Sequence, residues 1–241
     1  SFNYQGSFSD ADSYEDGNGN TVIDTLYRAQ NHSFTAAMRD EKQQLAVKLT
    51  HQKIPYQGFP NQHMDMVDNT SYGVVAQYKR QFQDSILEGQ LNWHSVKHEM
   101  GFFTPEKVGK MPMNTDAQDI SYQLKWQLDL ANNSTLLLGH EYFDYRIDDW
   151  WPAIEGSMMM GPNDYVNIND GKRLRLAAFA EYEGQLNNKW WLNTGIRIEN
   201  VETDVSDVQA YNEGMSMNGM SMGGMTMSPN NAMAAHEFNA I

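Results

Sequence analysis

The most distinctive chemistry in the sequence lies between Asn212 and Met233. There Met215, Met217, Met220, Met222, Met225 and Met227 recur as Met-x-Met units two residues apart, and Met233 follows. The spacers are mostly Gly, Ser, Thr and Asn. This stretch has no period-matched apolar face and too much glycine for a core helix or strand, so a flexible loop is expected. Thioether sulfur is a soft ligand that suits Cu(I) far better than Zn, Mg or Ca. A low-complexity linker with methionine as neutral filler fits the same residues.

A second candidate is the pair His98 and Met100, two residues apart in an extended segment and therefore on one face. An imidazole nitrogen plus a thioether suits copper in either oxidation state. The plainer roles are a histidine bonded to Glu88-type neighbours and a methionine packing the root of a loop. His63, Met64 and Met66 lie in a polar stretch where they would hand on a metal ion or simply pack the loop. Met111 and Met113 flank Pro112 and pose the same choice. Met158 to Met160 are consecutive and cannot all face one ion from an extended backbone. His94 is a candidate waypoint on the face of His98. Asp148 and Asp149 read first as solvated acids.

The rest of the chain must position these groups. The sequence has 241 residues, 31 acidic and 17 basic, with a formal net charge of −14. That balance argues against a nucleic-acid partner and favours attraction of cations. There is no cysteine, hence no disulfide and no thiolate ligand. No apolar run is long enough for a transmembrane helix. The chain starts Ser-Phe-Asn-Tyr-Gln, without initiator Met or signal peptide, and so reads as processed or as a fragment. Aromatic residues make up 12 %, with Tyr and Trp together outnumbering Phe.

Alternation with period two runs through Ser33 to Arg39, Gln44 to His51, Tyr72 to Lys79 and Leu87 to Met100. It continues through Asp119 to Leu130, Thr135 to Asp148, Arg173 to Tyr182 and Trp191 to Asp204. Polar turns at Asp40 to Gln43, Phe82 to Asp84, Ala131 to Ser134 and Asn187 to Lys189 alternate with long loops. The loops are expected over Gln52 to Thr70, Gly101 to Gln118 and the Trp150 to Pro162 region. About nine or ten strands are expected, roughly 10–15 residues each, longer than the common ~5–6. Short turns at one end, long loops at the other and one apolar face per strand describe an all-β antiparallel up-and-down meander of an outer-membrane barrel. A soluble β-sandwich also alternates, but it buries one face and lacks the loop asymmetry. Glu88, Arg173, Arg175, Arg197 and Glu199 would then line a wet lumen.

Several motifs carry a family resemblance. Ile54-Pro55-Tyr56-Gln57-Gly58-Phe59, Met64-Asp65-Met66-Val67-Asp68-Asn69-Thr70, His98-Glu99-Met100 and Met111-Pro112-Met113-Asn114-Thr115-Asp116 resemble the TonB-dependent copper receptor family. So do Asp148-Asp149-Trp150-Trp151-Pro152, Gly156 through Pro162, Asn167 through Gly171 and Asp207 through Asn212. The resemblance implies a barrel of about 22 strands with a plugged lumen. It also implies copper import across the outer membrane, driven by the TonB energy-transducing complex through an N-terminal plug. Residues 1–241 would be a mid-barrel section without plug or closing strand, with 212–233 an extracellular loop. In that family a His-x-Met pair on the barrel joins a Cys-x-x-x-Met pair on the plug. His98 and Met100 match the first pair, and the second has no counterpart here.

Four functions follow as expectations: a copper receptor and importer, a receptor of the same type for a siderophore or other metal chelate, a surface copper-sequestering protein, and an enzyme. The last is disfavoured, since there is no Gly-x-Ser-x-Gly and no persuasive Ser/His/Asp set.

Overall fold

The computed structural model describes residues 1–131, 133–213, 216–217 and 220–221. Nine strands form one antiparallel sheet in sequential order. They are β1 (Phe2–Ala11), β2 (Tyr27–Arg39), β3 (Gln43–Gln57), β4 (Asp65–Gln81) and β5 (Ser85–Gly101). β6 (Met113–Leu130), β7 (Ser134–Trp151), β8 (Tyr165–Asn187) and β9 (Trp190–Ser206) complete it. A separate hairpin pairs β10 (Ser216–Met217) with β11 (Met220–Ser221).

Two- and three-residue turns close one end of the sheet at 40–42, 82–84 and 188–189, and Leu130 and Ser134 end the paired strands β6 and β7 at the same end. Their chemistry is local. Asp40 accepts from the backbone N–H groups of Lys42 and Gln43 and from Gln43 Nε2. These bonds, led by that from Lys42, hold its carboxyl below the usual aspartate range. Asn133 takes the left-handed conformation (φ 53°) that its short polar side chain tolerates. Longer segments, 12–26, 58–64, 102–112 and 152–164, join the strands at the other end.

Register defines two faces. Phe34, Leu49, Val74, Trp93 and Ile120 lie in one row across β2 to β6. Ala36, Val47, Ala76, Leu91, Tyr122, Tyr142 and Leu176 form the next row on that face. Leu91, Leu124 and Trp126 are each 44–46 % exposed. Among the described residues Ala177 and Ala210 are the only buried hydrophobic ones. A β-sandwich would have buried this face, so the apolar surface must be covered by lipid instead. The opposite face is polar and bonded laterally. Gln77 donates to Gln90 (3.0 Å), Gln123 to Glu141 (2.7 Å), and Arg197 to both Glu141 (2.8 Å) and Glu199 (2.7 Å). β1 and β9 each pair on one side only, leaving two open edges that need partners in lipid.

The strands are longer than sequence alternation suggests. β3 continues to Gln57, β4 starts at Asp65, β6 at Met113 and β8 at Tyr165. The expected loops over Gln52 to Thr70 and Gly101 to Gln118 therefore shrink to 58–64 and 102–112. Met66 belongs to a strand rather than a loop. The physical reason is the surroundings: past the apolar band both faces of a strand meet polar neighbours, and the period-two signal disappears. β1 escaped the sequence reading because its polar positions are Asn, Gln and Ser, with Gly6 interrupting the apolar set. Within the expected methionine-rich loop, 212–233, Met217 opposes Met220 in the β10–β11 hairpin, and most of the remaining stretch lies outside the described residues. The sequence between Met217 and Met220 is Asn-Gly, a strong two-residue hairpin signal.

Candidate metal site

β5 brings His98 and Met100 to the polar face near its loop end. His98 opposes Asn69 of β4 and Thr115 of β6, while Met100 opposes Met66 and Met113. Opposed side chains on one face have Cβ atoms about 4.5–5.5 Å apart. Three thioethers thus form one row across three strands, with the imidazole two residues below the central one.

A β-bulge sets this row. Asn69 pairs with His98 and Asp68 with Glu99, but Met66 rather than Val67 pairs with Met100. Val67 is the extra residue. Regular pairing would put Val67 against Met100 and send Met66 to the other face. Gly101 makes room for the bulge: a Cβ there would stand 3.1 Å from Val67 Cγ1 and 3.3 Å from Cγ2.

The imidazole is oriented from behind. His98 Nδ1 lies 3.1 Å from Asn69 Oδ1. An amide oxygen only accepts, so Nδ1 carries the proton, and because burial lowers the His98 pKa the ring is favoured in the neutral form that keeps a lone pair on Nε2. Histidines that ligate metals are held by the other ring nitrogen in this way. Asn69 is buried and donates from Nδ2 to Gln52 Oε1 at 3.4 Å. Across the His98–Thr115 row sits Asp149, buried, accepting from Thr115 Oγ1 (2.7 Å) and Asn167 Nδ2 (3.1 Å). Below the site a polar groove of about 510 Å³, with Gln52, Ser71, Thr50 and His94 among its lining residues, follows the same face. His94 Nδ1 is 3.7 Å from Asp119 Oδ1.

Three long loops are tied together beside the row. Asp65, fully buried, accepts from Phe59 N at 2.9 Å, from Thr104 Oγ1 at 3.4 Å and from Lys107. Lys107 Nζ also donates to Phe59 O at 2.7 Å and stands 3.6 Å from Asp24 Oδ2. One lysine thus pins 102–112 and 58–64 to 12–26, immediately next to Met66.

The other expected ligands fall differently. His63 is exposed in 58–64, edge-on to the Phe102 ring at 5.5 Å, and Met64 is half-buried in the same loop. Neither is in register with His98. The backbones of Met217 and Met220 are placed by the β10–β11 hairpin. Met215, Met222, Met225 and Met227 lie outside the described residues. Sequence reasoning placed Met113 in a loop, where it would hand on a metal ion or pack, read Asp149 as a solvated acid, and gave no role to Asn69 or Lys107. Asn69 and Asp149 stood within motifs but carried no periodicity signal.

Among the described residues no group of three His, Asp or Glu side chains is arranged to hold a metal. What the strands assemble is a thioether row with one neutral imidazole, a donor set for a soft cation rather than for Zn, Mg or Ca.

Comparison with known proteins agrees with the architecture. The family described as TonB dependent receptor-like, beta-barrel matches residues 3–232. Among solved structures, the copper transporter OprC superposes with a TM-score of 0.68 at 16 % identity. That match covers 85 % of this chain and 33 % of OprC, so the chain spans about a third of that structure's length. No curated protein is significantly similar in sequence. Over residues 3–232 the chain belongs to the TonB-dependent receptor β-barrel family, and its apolar face is wall that such a barrel turns to the lipid of the bacterial outer membrane.

Proposed function

We propose that this chain forms the part of an outer-membrane receptor wall that captures copper and passes it inward, with Cu(I) as the preferred ion. The observation that carries the reading is the register of β4, β5 and β6, which aligns Met66, Met100 and Met113 above His98. Thioethers favour a monovalent soft ion and give little to harder competitors. The neutral, oriented imidazole adds a stronger nitrogen donor without asking for a proton to be lost.

In this reading Met215 to Met227, with His63 and Met64, gather the ion outside the barrel, and Met66 belongs to the row that receives it. His98 and Met100 then take it at the loop end of the lumen. The groove below, running to His94, is the polar path that the ion follows. The family resemblance adds a plug and the TonB complex as the partners that open this path. The structural likeness to a copper transporter supports the same cargo.

The test is His98→Ala with Met100→Ala in the intact receptor, scored by Cu(I) binding and by copper uptake. Both are expected to fall, and Zn binding to stay unchanged. Uptake at the parent rate would remove the pair from the route and leave a surface sequestering role. Retained uptake of a chelate, with bare copper ignored by the parent, would favour the chelate receptor.

A further inference from the structure

We propose a second metal site, on the opposite face of the sheet, in which His32 and His51 bind Cu(II) through their Nε2 atoms. The two residues oppose each other directly on β2 and β3. Their rings lie nearly parallel, 11° apart, with centroids separated by 6.3 Å. His51 Nδ1 is 3.1 Å from the backbone oxygen of Ser71, and a carbonyl only accepts. In the neutral imidazole this places the His51 proton on Nδ1 and leaves a lone pair on Nε2. His32 Nδ1 is 2.8 Å from the Tyr4 hydroxyl, which accepts when His32 adopts the same tautomer. Both rings are thus held by Nδ1, the arrangement found behind metal-ligating histidines. Neither Nε2 has a hydrogen-bond partner among the described residues.

The surroundings give the pair a fixed height. Tyr4 stacks on His32 at 6.2 Å and Tyr72 on His51 at 4.7 Å, making a four-ring row along the outer face. His32, His51, Tyr72 and Ser95 lie immediately beyond the apolar row of Phe34, Leu49, Val74 and Trp93. The next row toward the long loops holds Lys53, Thr70, Lys97 and Asp116. The site therefore sits at the outer membrane–water interface, where aromatic rings concentrate. It opens outward, away from the lumen row.

Two imidazoles without sulfur suit Cu(II) ahead of the other divalent ions, by ligand type and by the usual stability order. Opposed Cβ atoms about 4.5–5.5 Å apart let two rings turn from stacking to converge on one ion. Metal–nitrogen bonds of about 2.0–2.1 Å then bind it, with water completing the coordination. The lumen row favours Cu(I) through sulfur and the outer pair Cu(II) through nitrogen, so the two sites do not compete.

The experiment titrates Cu(II) into the intact receptor carrying His98→Ala and Met100→Ala, which silences the lumen row. Electron paramagnetic resonance then reads nitrogen coupling. Adding His32→Ala and His51→Ala is expected to abolish one Cu(II) signal that couples to imidazole nitrogen. His63→Ala is expected to leave that signal intact. Heat-modifiable gel migration checks that each variant is a folded barrel. An unchanged Cu(II) count and spectrum on loss of His32 and His51 overturns the proposal. If that variant does not fold, pulsed spectra of the lumen-silenced parent decide instead. Imidazole modulation that Tyr4→Phe alters supports the site, and its absence overturns it. Because His98 and Met100 are replaced throughout, and the readout is coupling to imidazole nitrogen, the outcome is independent of the import reading.

Discussion

Replacing Asn69 with Ala isolates the claim that His98 is presented to the metal by its neighbour. The substitution deletes the Oδ1 atom that holds Nδ1–H at 3.1 Å and leaves Met66, Met100 and Met113 in register. Removing the group that orients a ligand imidazole typically lowers affinity 10–100-fold. At roughly 1.4 kcal/mol per decade, that is about 1.4–2.8 kcal/mol. One neutral bond of ordinary length and three unaltered thioethers place the expected loss near the lower end, about tenfold. The assay is competitive Cu(I) titration of the intact receptor against a chelator of known affinity. Asn69→Asp keeps an acceptor at the same place and is expected to recover most of the binding. A merely structural role for Asn69 predicts the reverse, because a buried carboxylate is harder to accommodate than a methyl group. If Asn69→Ala binds Cu(I) as tightly as the parent while His98→Ala does not, the orientation argument is wrong.

Gly101→Leu puts a side chain where Val67 now lies, at 3.1–3.3 Å from the first added carbon. We expect a stability loss of about 1–3 kcal/mol from overpacking. Cu(I) affinity should fall several-fold as the bulge shifts and Met66 leaves the row. Unfolding midpoint and Cu(I) titration check it, and a stability loss with unchanged affinity would separate the bulge from the site. Lys107→Met leaves Asp65 buried without its cation. Breaking such a pair costs about 3–5 kcal/mol. Because the pair ties loops rather than strands, the loss should appear as faster proteolysis within 58–64 and 102–112, with barrel migration unchanged.

How much of this was legible in the sequence depended on whether lipid was imposing a pattern. From Leu87 to Trp93 and from Ile120 to Trp126 one face must be apolar, and alternation marks both the strand and its sides. That parity alone put His98 and Met100 on the polar face, as the structure has it. Beyond the band the pattern stops, so Asp65 to Thr70 and Met113 to Gln118 looked like loop. Met113 and Met66 could not be joined to Met100 from sequence, because that needs the register of β4 against β6 and a bulge at Val67. A bulge is a one-residue irregularity with no compositional mark. The ring row on β1 to β4 was hidden for a related reason: Tyr4, His32, His51 and Tyr72 are far apart in sequence and meet only through pairing.

The loss of pattern above the membrane is also what frees those positions for chemistry. A strand inside the bilayer spends every second residue on lipid and most of the rest on lateral bonds such as Gln77–Gln90 and Gln123–Glu141. Past the band, β4, β5 and β6 keep their backbone pairing, so their side chains are still held in rows, but neither face is required to be apolar. Rigid placement without a hydrophobic demand is what a soft-metal site needs, since thioethers bind weakly one at a time and only a fixed row of them selects an ion. The strand extensions of this sheet supply that condition, and a loop of methionines alone does not.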